Sequence, residues 1–168
     1  MLEAEFIHLI KNIIRTETFA ATKHHKHHIR GTLYAHSIKV AYLCYLHHKR
    51  HALRIPLAEF VQGALLHDYY LYDLHGSGTP HKFHWLRHPR IALQNAERDY
   101  PNLTRAQRDM IARHMFPMTL IPPTTLACWL VCFYDKVAAV SDRFGADRWS
   151  KIEKELEKNE KDAVSNIS

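Results

Sequence analysis

The chain has 168 residues, 46% of them hydrophobic, which is enough for one globular domain with a single core. Its formal net charge of +6 is spread along the sequence, as expected for a moderately basic, solvated surface. No stretch reaches the roughly 20 apolar residues that a membrane span requires, so we expect no membrane association.

Three helices are predicted in the first part of the chain. Apolar residues recur at helical spacing over residues 1–20 and again over residues 33–51. Pro56 suits the first turn of a third helix, from about Leu57 to Leu66. The opening segment has neither the basic lead nor the cleavage site of a signal peptide. The stretch KHHKHHIRG, residues 23–31, is predicted to be a polar connector, although its histidines could also form a metal-binding tract or a basic patch.

The central part combines a predicted irregular loop with two helices. Residues 69–87 contain glycine, proline and many aromatic residues, and a loop of this length is usually functional or mobile. Pro89 is predicted to open a helix that continues to about Asp99. Thr104 and Gln107 have the spacing of a capping box, for a helix that ends near His114.

The last part is predicted to hold the longest apolar helix, which begins at Pro123 or Thr124 and ends near Phe144. Residues 146–168 are predicted to form a charged helix and tail. We find neither alternating strand patterns nor repeats, so the predicted fold is an all-α bundle of about six to seven helices. It forms a single domain over residues 1–168 with its core in 30–145. Three cysteines fit no disulfide framework, which predicts buried thiols in a reducing cytoplasm.

Several acidic and histidine side chains stand in apolar surroundings. His67 and Asp68 directly follow the run ALL, and an unpaired carboxylate is costly to bury unless it is paired or bound to a metal. Asp135 is the one acid inside the longest apolar helix, where it needs a cation or several donors. The neighbouring Lys136 points about 100° away and is not expected to neutralise it easily.

Further histidines lie on helices or at helix ends, at His36, His88 and His114. A helical protein builds a metal site by bringing together side chains from several helices. Imidazole nitrogens and carboxylate oxygens suit Fe, Mn, Zn, Ni or Co without any thiolate.

The order of these residues resembles the HD-domain metal-dependent phosphohydrolases. That family has a histidine, a His-Asp doublet after a helix, and a distant aspartate. His36, the doublet in ALLHDYY, and Asp135 match these places. His88 in LRHPRIALQNA and His114 in IARHMFP stand where a subset of the family has two more histidines. The resemblance covers about residues 30–145 and is greatest to small bacterial proteins near the dinucleoside-polyphosphate hydrolases.

The resemblance implies an HD-domain bundle with two divalent cations, chosen from Fe, Mn, Zn, Ni, Co or Mg. It assigns His36, His67, Asp68 and Asp135 to the first ion, and His88 and His114 to the second, with Asp68 bridging both. The implied activity is a phosphatase or phosphodiesterase acting on a small phosphorylated substrate, such as a nucleotide. The implied nucleophile is a metal-bound water or hydroxide.

Positive side chains next to the predicted ligands would offset charge that develops on the phosphoryl group. Lys136 adjoins Asp135 and is predicted to be catalytic together with Asp68. Arg87 and Arg113 adjoin His88 and His114, and His84 lies four residues before His88. These three side chains are predicted to contact the substrate.

Other interpretations of the same residues stay open. The histidines could be hydrogen-bonded core residues or helix caps, and Asp135 could pair with an arginine. The domain could instead be a di-iron oxygenase, or a non-catalytic metal or nucleotide sensor. Nucleic acid is not an expected partner because the chain lacks an aromatic stacking platform, and oligomerisation is left open.

Two further groups of residues are interpreted only by their sequence context. At the polar end of the second predicted helix, the exposed side chains are predicted to be His47, His48 and His51. After the His-Asp pair, the residues predicted to line a pocket, form a lid or pack in the core are Tyr69, Tyr70 and Tyr72.

Overall fold

The computed structural model describes residues 2–25, 31–71 and 84–144, and within these ranges the chain is helical, without strands. This confirms the predicted all-α fold. None of the described helices is long and apolar enough to cross a membrane. The helices are α1 (Leu2–Ile14), α2 (Glu17–Ala20), a 3-10 helix (Ala21–His24), α3 (Leu33–His51), α4 (Leu57–Leu66), α5 (His84–Asp99), α6 (Arg105–Arg113) and α7 (Leu126–Phe144).

Four helices form the centre of the bundle. α3 packs against α4 and α7, and α6 packs against α4, α5 and α7, while α1 covers α4. The side chains between them are aliphatic and aromatic and fully buried, including Ile38, Phe60, Leu65, Met110 and Val131. Burial of this apolar surface is the main stabilising contribution to such a bundle.

Local signals place the ends of several helices. The hydroxyl of Thr32 accepts the backbone N–H of Ala35 at the start of α3, and Ala52 ends that helix in the left-handed conformation. The predicted capping box at the start of α6 is confirmed, because Thr104 and Gln107 each accept the other's backbone N–H. Such caps satisfy amides that have no partner within the helix.

Three predicted boundaries were wrong. The pattern over residues 1–20 forms two helices, because α1 ends at Ile14 and Thr16 caps α2. α7 begins at Leu126, since the hydroxyl of Thr125 accepts the backbone N–H of Cys128 and ends the irregular segment there. α5 begins at His84, and Pro89 lies inside that helix.

Because α5 begins at His84, the predicted loop 69–87 is shorter at its C-terminal side, and Pro89 lies within the second turn of that helix. A proline lacks the N–H that would bond to the carbonyl four residues earlier, at position 85, so one bond is lost near the beginning of α5. Residues 72–83 of the loop, with Tyr72, lie outside the described residues. So do most of the connector 23–31 and the charged segment 146–168.

Two of the histidines near the end of α3 are half-buried, which corrects the prediction that they are exposed. The Nδ1 of His47 lies 2.7 Å from the hydroxyl of Tyr134 on α7, and the Nε2 of His48 lies 2.7 Å from the carbonyl of Ile55. The packing of α7 and of the segment after α3 against this end covers them. His51 is exposed as predicted.

Candidate metal centre

The six side chains predicted as metal ligands meet inside the bundle. Each comes from a helix or from the residues directly after one, and each is at most 7% exposed. They are His36 on α3, His67 and Asp68 after α4, His88 on α5, His114 after α6, and Asp135 on α7. The structure thus brings together residues that lie up to 99 positions apart in the sequence.

The first half-site comprises His36, His67, Asp135 and the Oδ2 atom of Asp68. The Nε2 of His36 is 3.1 Å from Oδ1 of Asp135 and 3.9 Å from Oδ2 of Asp68. The Nε2 of His67 is 3.8 Å and 3.6 Å from the same two oxygens. His36, His67 and Asp135 form a buried group whose ligand atoms all lie within 4.8 Å of one another, which could hold a metal ion.

The second half-site comprises His88, His114 and the Oδ1 atom of Asp68. Both Nε2 atoms lie 3.1 Å from this oxygen, and they are 2.9 Å from each other. The two oxygens of Asp68 therefore face two different sets of imidazoles. A carboxylate oriented in this way can be shared between two cations.

Backbone carbonyls fix the orientation of two of the rings. The Nδ1 of His67 is 2.7 Å from the carbonyl of Ala64, and the Nδ1 of His114 is 2.9 Å from the carbonyl of Ile111. Since a carbonyl only accepts, each Nδ1 carries the proton, and the lone pair of each Nε2 points to the centre. Hydrogen bonds of this kind orient metal-binding histidines.

The inner nitrogen of His67 shows that the cluster suits a cation. This Nε2 is buried and has no hydrogen-bond partner among the described residues. Its lone pair instead faces the carboxylates of Asp68 and Asp135, which also only accept when ionised. A buried acceptor surrounded by acceptors calls for a positive ion between them.

Both carboxylates of the cluster and the imidazole of His114 are held in the charge states that metal ligation requires. Burial opposes ionisation of Asp68, but His67, His88 and His114 hold its pKa well below the usual value. The same competition, with His36 and His67 as partners, holds the pKa of Asp135 well below its usual value. Burial lowers the pKa of His114, which keeps that imidazole neutral. Metal ligands must be ionised carboxylates and neutral imidazoles.

Close packing of α4 and α6 brings His67 and His114 together. Each histidine directly follows the last residue of its helix, and their ring centroids are 4.9 Å apart. Gly63 lies on α4 where the side chain of Met110 on α6 crosses it, and a Cβ added there would be 2.3 Å from the terminal methyl of Met110. The missing side chain of Gly63 thus permits the short distance between the two helices.

Lys136 is closer to the cluster than the sequence suggested. Its Nζ donates to the carbonyl of His114 at 3.0 Å and lies 3.6 Å from Oδ2 of Asp135. The long flexible stem of Lys136 spans the angle between adjacent helical positions, but the pKa of Asp135 is held down by His36 and His67, in line with the prediction that Lys136 does not easily neutralise it. Its half-exposed ammonium stands at the edge of the first half-site. Its catalytic role stays a prediction.

The three side chains predicted to bind substrate are placed differently. Arg113 contacts Asp109 at 3.1 Å and the carbonyl of Pro122 at 3.0 Å, so its guanidinium is engaged with the segment before α7. Arg87 is exposed on α5 beside His88. The side chain of His84 lies outside the described residues. Substrate contact by all three stays a prediction.

Sequence reasoning missed the buried carboxylate of Asp109. Its Oδ2 accepts the backbone N–H groups of Thr124 and Thr125 and the hydroxyl of Thr125, all at 3.0–3.1 Å. These bonds fix the start of α7, the helix that carries Asp135. The i, i+4 spacing of Asp109 and Arg113 indicates an ion pair, but no sequence signal points to the threonines.

Tyr69 and Tyr70, which follow the His-Asp pair, are both buried. The hydroxyl of Tyr69 donates to Asp99 at 2.9 Å, and Tyr69 stacks on Phe19 as part of the core. The ring of Tyr70 lies edge-on to the ring of His88, with centroids 5.5 Å apart. Tyr69 is thus a core residue, whereas Tyr70 borders the second half-site.

The buried histidines and aspartates of this cluster could hold metal ions, and their nitrogen and oxygen donors suit divalent first-row metals. Comparison of the chain with family models, with curated proteins and with solved structures gives no match in any of the three.

Proposed function

We propose that this chain is an HD-type metal-dependent phosphohydrolase that cleaves a small phosphorylated substrate, such as a nucleotide. The observation that carries the proposal is the division of the Asp68 carboxylate between two sets of imidazoles. One oxygen faces His88 and His114, and the other faces His36 and His67. Sites with two ions about 3.5–4 Å apart are common in phosphatases and nucleases, where both ions contact the reacting phosphoryl group.

In this proposal the first half-site holds one divalent cation and the second half-site holds another, with Asp68 shared. When bound, such ions act as Lewis acids on phosphoryl oxygens and lower the pKa of coordinated water. The ligand set suits Fe, Mn, Zn, Ni or Co by its donor chemistry.

The chain's own contribution is positioning and charge. The bonds from His67 and His114 to backbone carbonyls hold their inner nitrogens in place before a metal binds. Only two of the six ligands, Asp68 and Asp135, are anionic, so two divalent cations would leave an excess of positive charge. An anionic phosphate group is attracted to such a centre.

In this proposal the substrate approaches at the edge of the first half-site, beside Asp135. His88 and Asp135 are 5% and 7% exposed, whereas His67 and His114 are fully buried. The ammonium of Lys136 stands beside Asp135 at this edge. It is placed to interact with a non-bridging oxygen of a phosphate that reaches the cluster.

Metal analysis combined with an anaerobic activity panel tests the proposal. The panel contains phosphomonoesters, cyclic nucleotides and dinucleotides. The purified protein is expected to carry up to two equivalents of a transition metal and to release phosphate or a nucleotide from part of the panel. Anaerobic turnover also excludes an oxygenase reaction. Binding of nucleotides without turnover, in fully metal-loaded protein, would contradict the proposal and support a sensor.

Two aspartate variants sharpen this experiment. Asp68→Asn removes the shared anion and is expected to lose both ions and at least 100-fold in turnover, on the order of the loss of a key electrostatic group. Asp109→Asn alters an equally buried carboxylate that has no contact with the cluster. It is expected to keep its metal content but to be less stable. Retained metal in Asp68→Asn would refute the assignment of Asp68 as the shared ligand.

A further inference from the structure

Helix α7 is apolar on two opposite sides. One side, with Cys128, Val131 and Ala138, is buried against the bundle. The other side carries large apolar side chains that are 37–58% exposed, and we call these five residues the α7 stripe: Leu126, Trp129, Phe133, Val137 and Val140. A helix that is apolar all round normally has partners on both sides. Within the described residues the stripe stays largely exposed, apart from the contact of Trp129 with the ring of Phe116.

The spacing of the α7 stripe is symmetric about its middle residue. Trp129 and Val137 each lie four residues from Phe133, and Leu126 and Val140 each lie seven residues from it. An antiparallel copy of the same helix with Phe133 at the crossing point would place Trp129 opposite Val137 and Leu126 opposite Val140. Each pair joins a larger side chain with a smaller one, as interdigitated packing requires. The average spacing of 3.5 residues is that of a helix seam.

The exposed apolar area is large enough for a stable interface. The segment that leads into α7 adds Met118, Leu120 and Ile121, which are 51–91% exposed, and Phe116 in this segment contacts the ring of Trp129. Given the exposed fractions, the stripe and these three side chains together present roughly 800–1,000 Å², so an interface of the standard size, about 800 Å² per partner, would include both. The largest apolar patch of a typical monomer is about 300–600 Å².

We propose that two copies of this chain associate through the α7 stripe as an antiparallel, two-fold symmetric helix pair centred on Phe133. A two-fold interface requires a patch that is complementary to itself, and the symmetric spacing of the stripe meets this condition. An unrelated partner would not require that symmetry. This inference is independent of the proposed function.

No residue of the α7 stripe is charged, and the stem of Lys136, which is 40% exposed, borders it between Phe133 and Val140. Among the residues of α7 whose side chains are described, only Asp135 and Lys136 are charged. Asp135 faces the metal cluster, and the ammonium of Lys136 is held by the carbonyl of His114. Asp135 lies between Phe133 and Val137 in the sequence. The helix that would form the interface on one side therefore supplies a side chain of the first half-site on the other.

Sedimentation equilibrium of the full chain tests the association. The wild-type protein is expected to have twice the mass of the 19.7 kDa chain, and Phe133→Glu is expected to halve that mass. Leu86→Glu is the matched control, since Leu86 is also exposed but lies on α5, and it should leave the mass unchanged. A wild-type monomer at the highest soluble concentration would overturn the proposal. If the full chain is a monomer that dimerises only after residues 145–168 are removed, that segment and not a second copy covers the stripe, and the proposal is overturned.

Thiol cross-linking tests the antiparallel register separately from the stability of the variants. All three native cysteines are buried. With a short bismaleimide, Phe133→Cys should cross-link to its own copy. Val140→Cys should not, because two copies of residue 140 would lie about 21 Å apart along the helix pair. The double variant Leu126→Cys/Val140→Cys should cross-link again. Equal cross-linking of Val140→Cys and Phe133→Cys would overturn the register.

Discussion

Imidazoles rather than basic side chains hold the two buried carboxylates of the cluster in their ionised form. Asp68 lies 3.1 Å from two histidines, and Asp135 lies 3.1 Å from a third, whereas Lys136 is 3.6 Å from Asp135. An imidazole can act as a ligand as well as a hydrogen-bond donor, but an ammonium cannot. An imidazole of the cluster therefore pairs with a carboxylate when its inner nitrogen is protonated, and binds a cation when that nitrogen is deprotonated.

The metal-free protein is expected to lose stability as the pH falls from neutrality, through His114. Burial lowers the pKa of this group below its ordinary 6.5, so below pH 6.5 the unfolded chain takes up a proton that the folded chain resists. The stabilisation is complete above pH 6.5 and is lost as the pH falls toward the lower folded pKa. Urea unfolding of chelated protein between about pH 7.5 and 5.5 measures this, with a slope of at most about 1.4 kcal/mol per pH unit from one group.

Comparison with His114→Gln isolates this contribution from the other histidines. The variant is expected to show a shallower loss of unfolding free energy over the same pH range. The carboxylates contribute in a different window, because their lowered pKa values keep their stabilisation intact until the pH falls below about 3.8. Identical slopes for the wild type and the variant would show that His114 does not resist protonation.

The convergence of the six side chains could be predicted from two signals: His36, His67, Asp68 and Asp135 stand in apolar surroundings, and His88 and His114 follow in the order that the family resemblance implies. The contacts of long side chains could not be predicted in this way. Lys136 reaches back to its neighbour Asp135, and Arg113 extends toward Pro122 rather than toward the cluster. Such side chains have many rotamers, and tertiary partners that are remote in sequence select among them.

At the scale of helices, the second half-site depends on how closely α4 and α6 approach. Gly63 lies one turn before His67, and Met110 lies one turn before His114. The Cβ that an alanine would add at position 63 would be 2.3 Å from the methyl and 3.0 Å from the sulfur of Met110. Because Met110 is fully buried, its end cannot simply rotate into solvent.

Gly63→Ala is therefore expected to reduce the free energy of unfolding by about 1 kcal/mol. Alanine gains roughly 0.5–1 kcal/mol over glycine within a helix, but overpacking a core commonly loses about 1–3 kcal/mol. In the Met110→Ala background the clash with Met110 is absent and the milder contact with Cγ of Gln107 at 3.2 Å remains, so the same substitution should become stabilising. A double-mutant cycle by urea unfolding measures the coupling. Stabilisation of the wild-type background by Gly63→Ala would show that Met110 repacks freely.

Helix boundaries were predictable where a local cap defines them and less so elsewhere. Thr104 and Gln107 fix the start of α6 by bonds within four residues, which the sequence displays. The start of α7 depends on Asp109, fifteen residues earlier than Thr124, and so on tertiary structure. Pro89 was misplaced because a proline is usual in the first turn but is also tolerated slightly deeper, where only one bond is lost.

At the scale of the whole molecule, the cluster joins helices that are far apart in the sequence. The first half-site links α3, the end of α4 and α7, and the second links α5 with the ends of α4 and α6. Asp68 contributes to both, so five helices converge on one carboxylate and its neighbours. A cation at this point would bind only the folded chain, since the unfolded chain does not hold these groups together.

Metal removal is therefore expected to lower the melting temperature of the protein. A single site at 100 times its dissociation constant adds about 2.7 kcal/mol to the free energy of unfolding. For a chain of this size each kcal/mol corresponds to roughly 2–4 °C, so chelation should lower the melting temperature by roughly 5–10 °C per ion. Calorimetry before and after chelation, and after Mn²⁺ or Zn²⁺ is restored, measures the effect.

Two variants serve as controls for the response of the melting temperature to chelation. Asp109→Asn should start from a lower melting temperature but keep the full response, because the carboxylate of Asp109 anchors α7 outside the cluster. Asp68→Asn should lose the response, and a full response in that variant would place the bound ion elsewhere on the molecule.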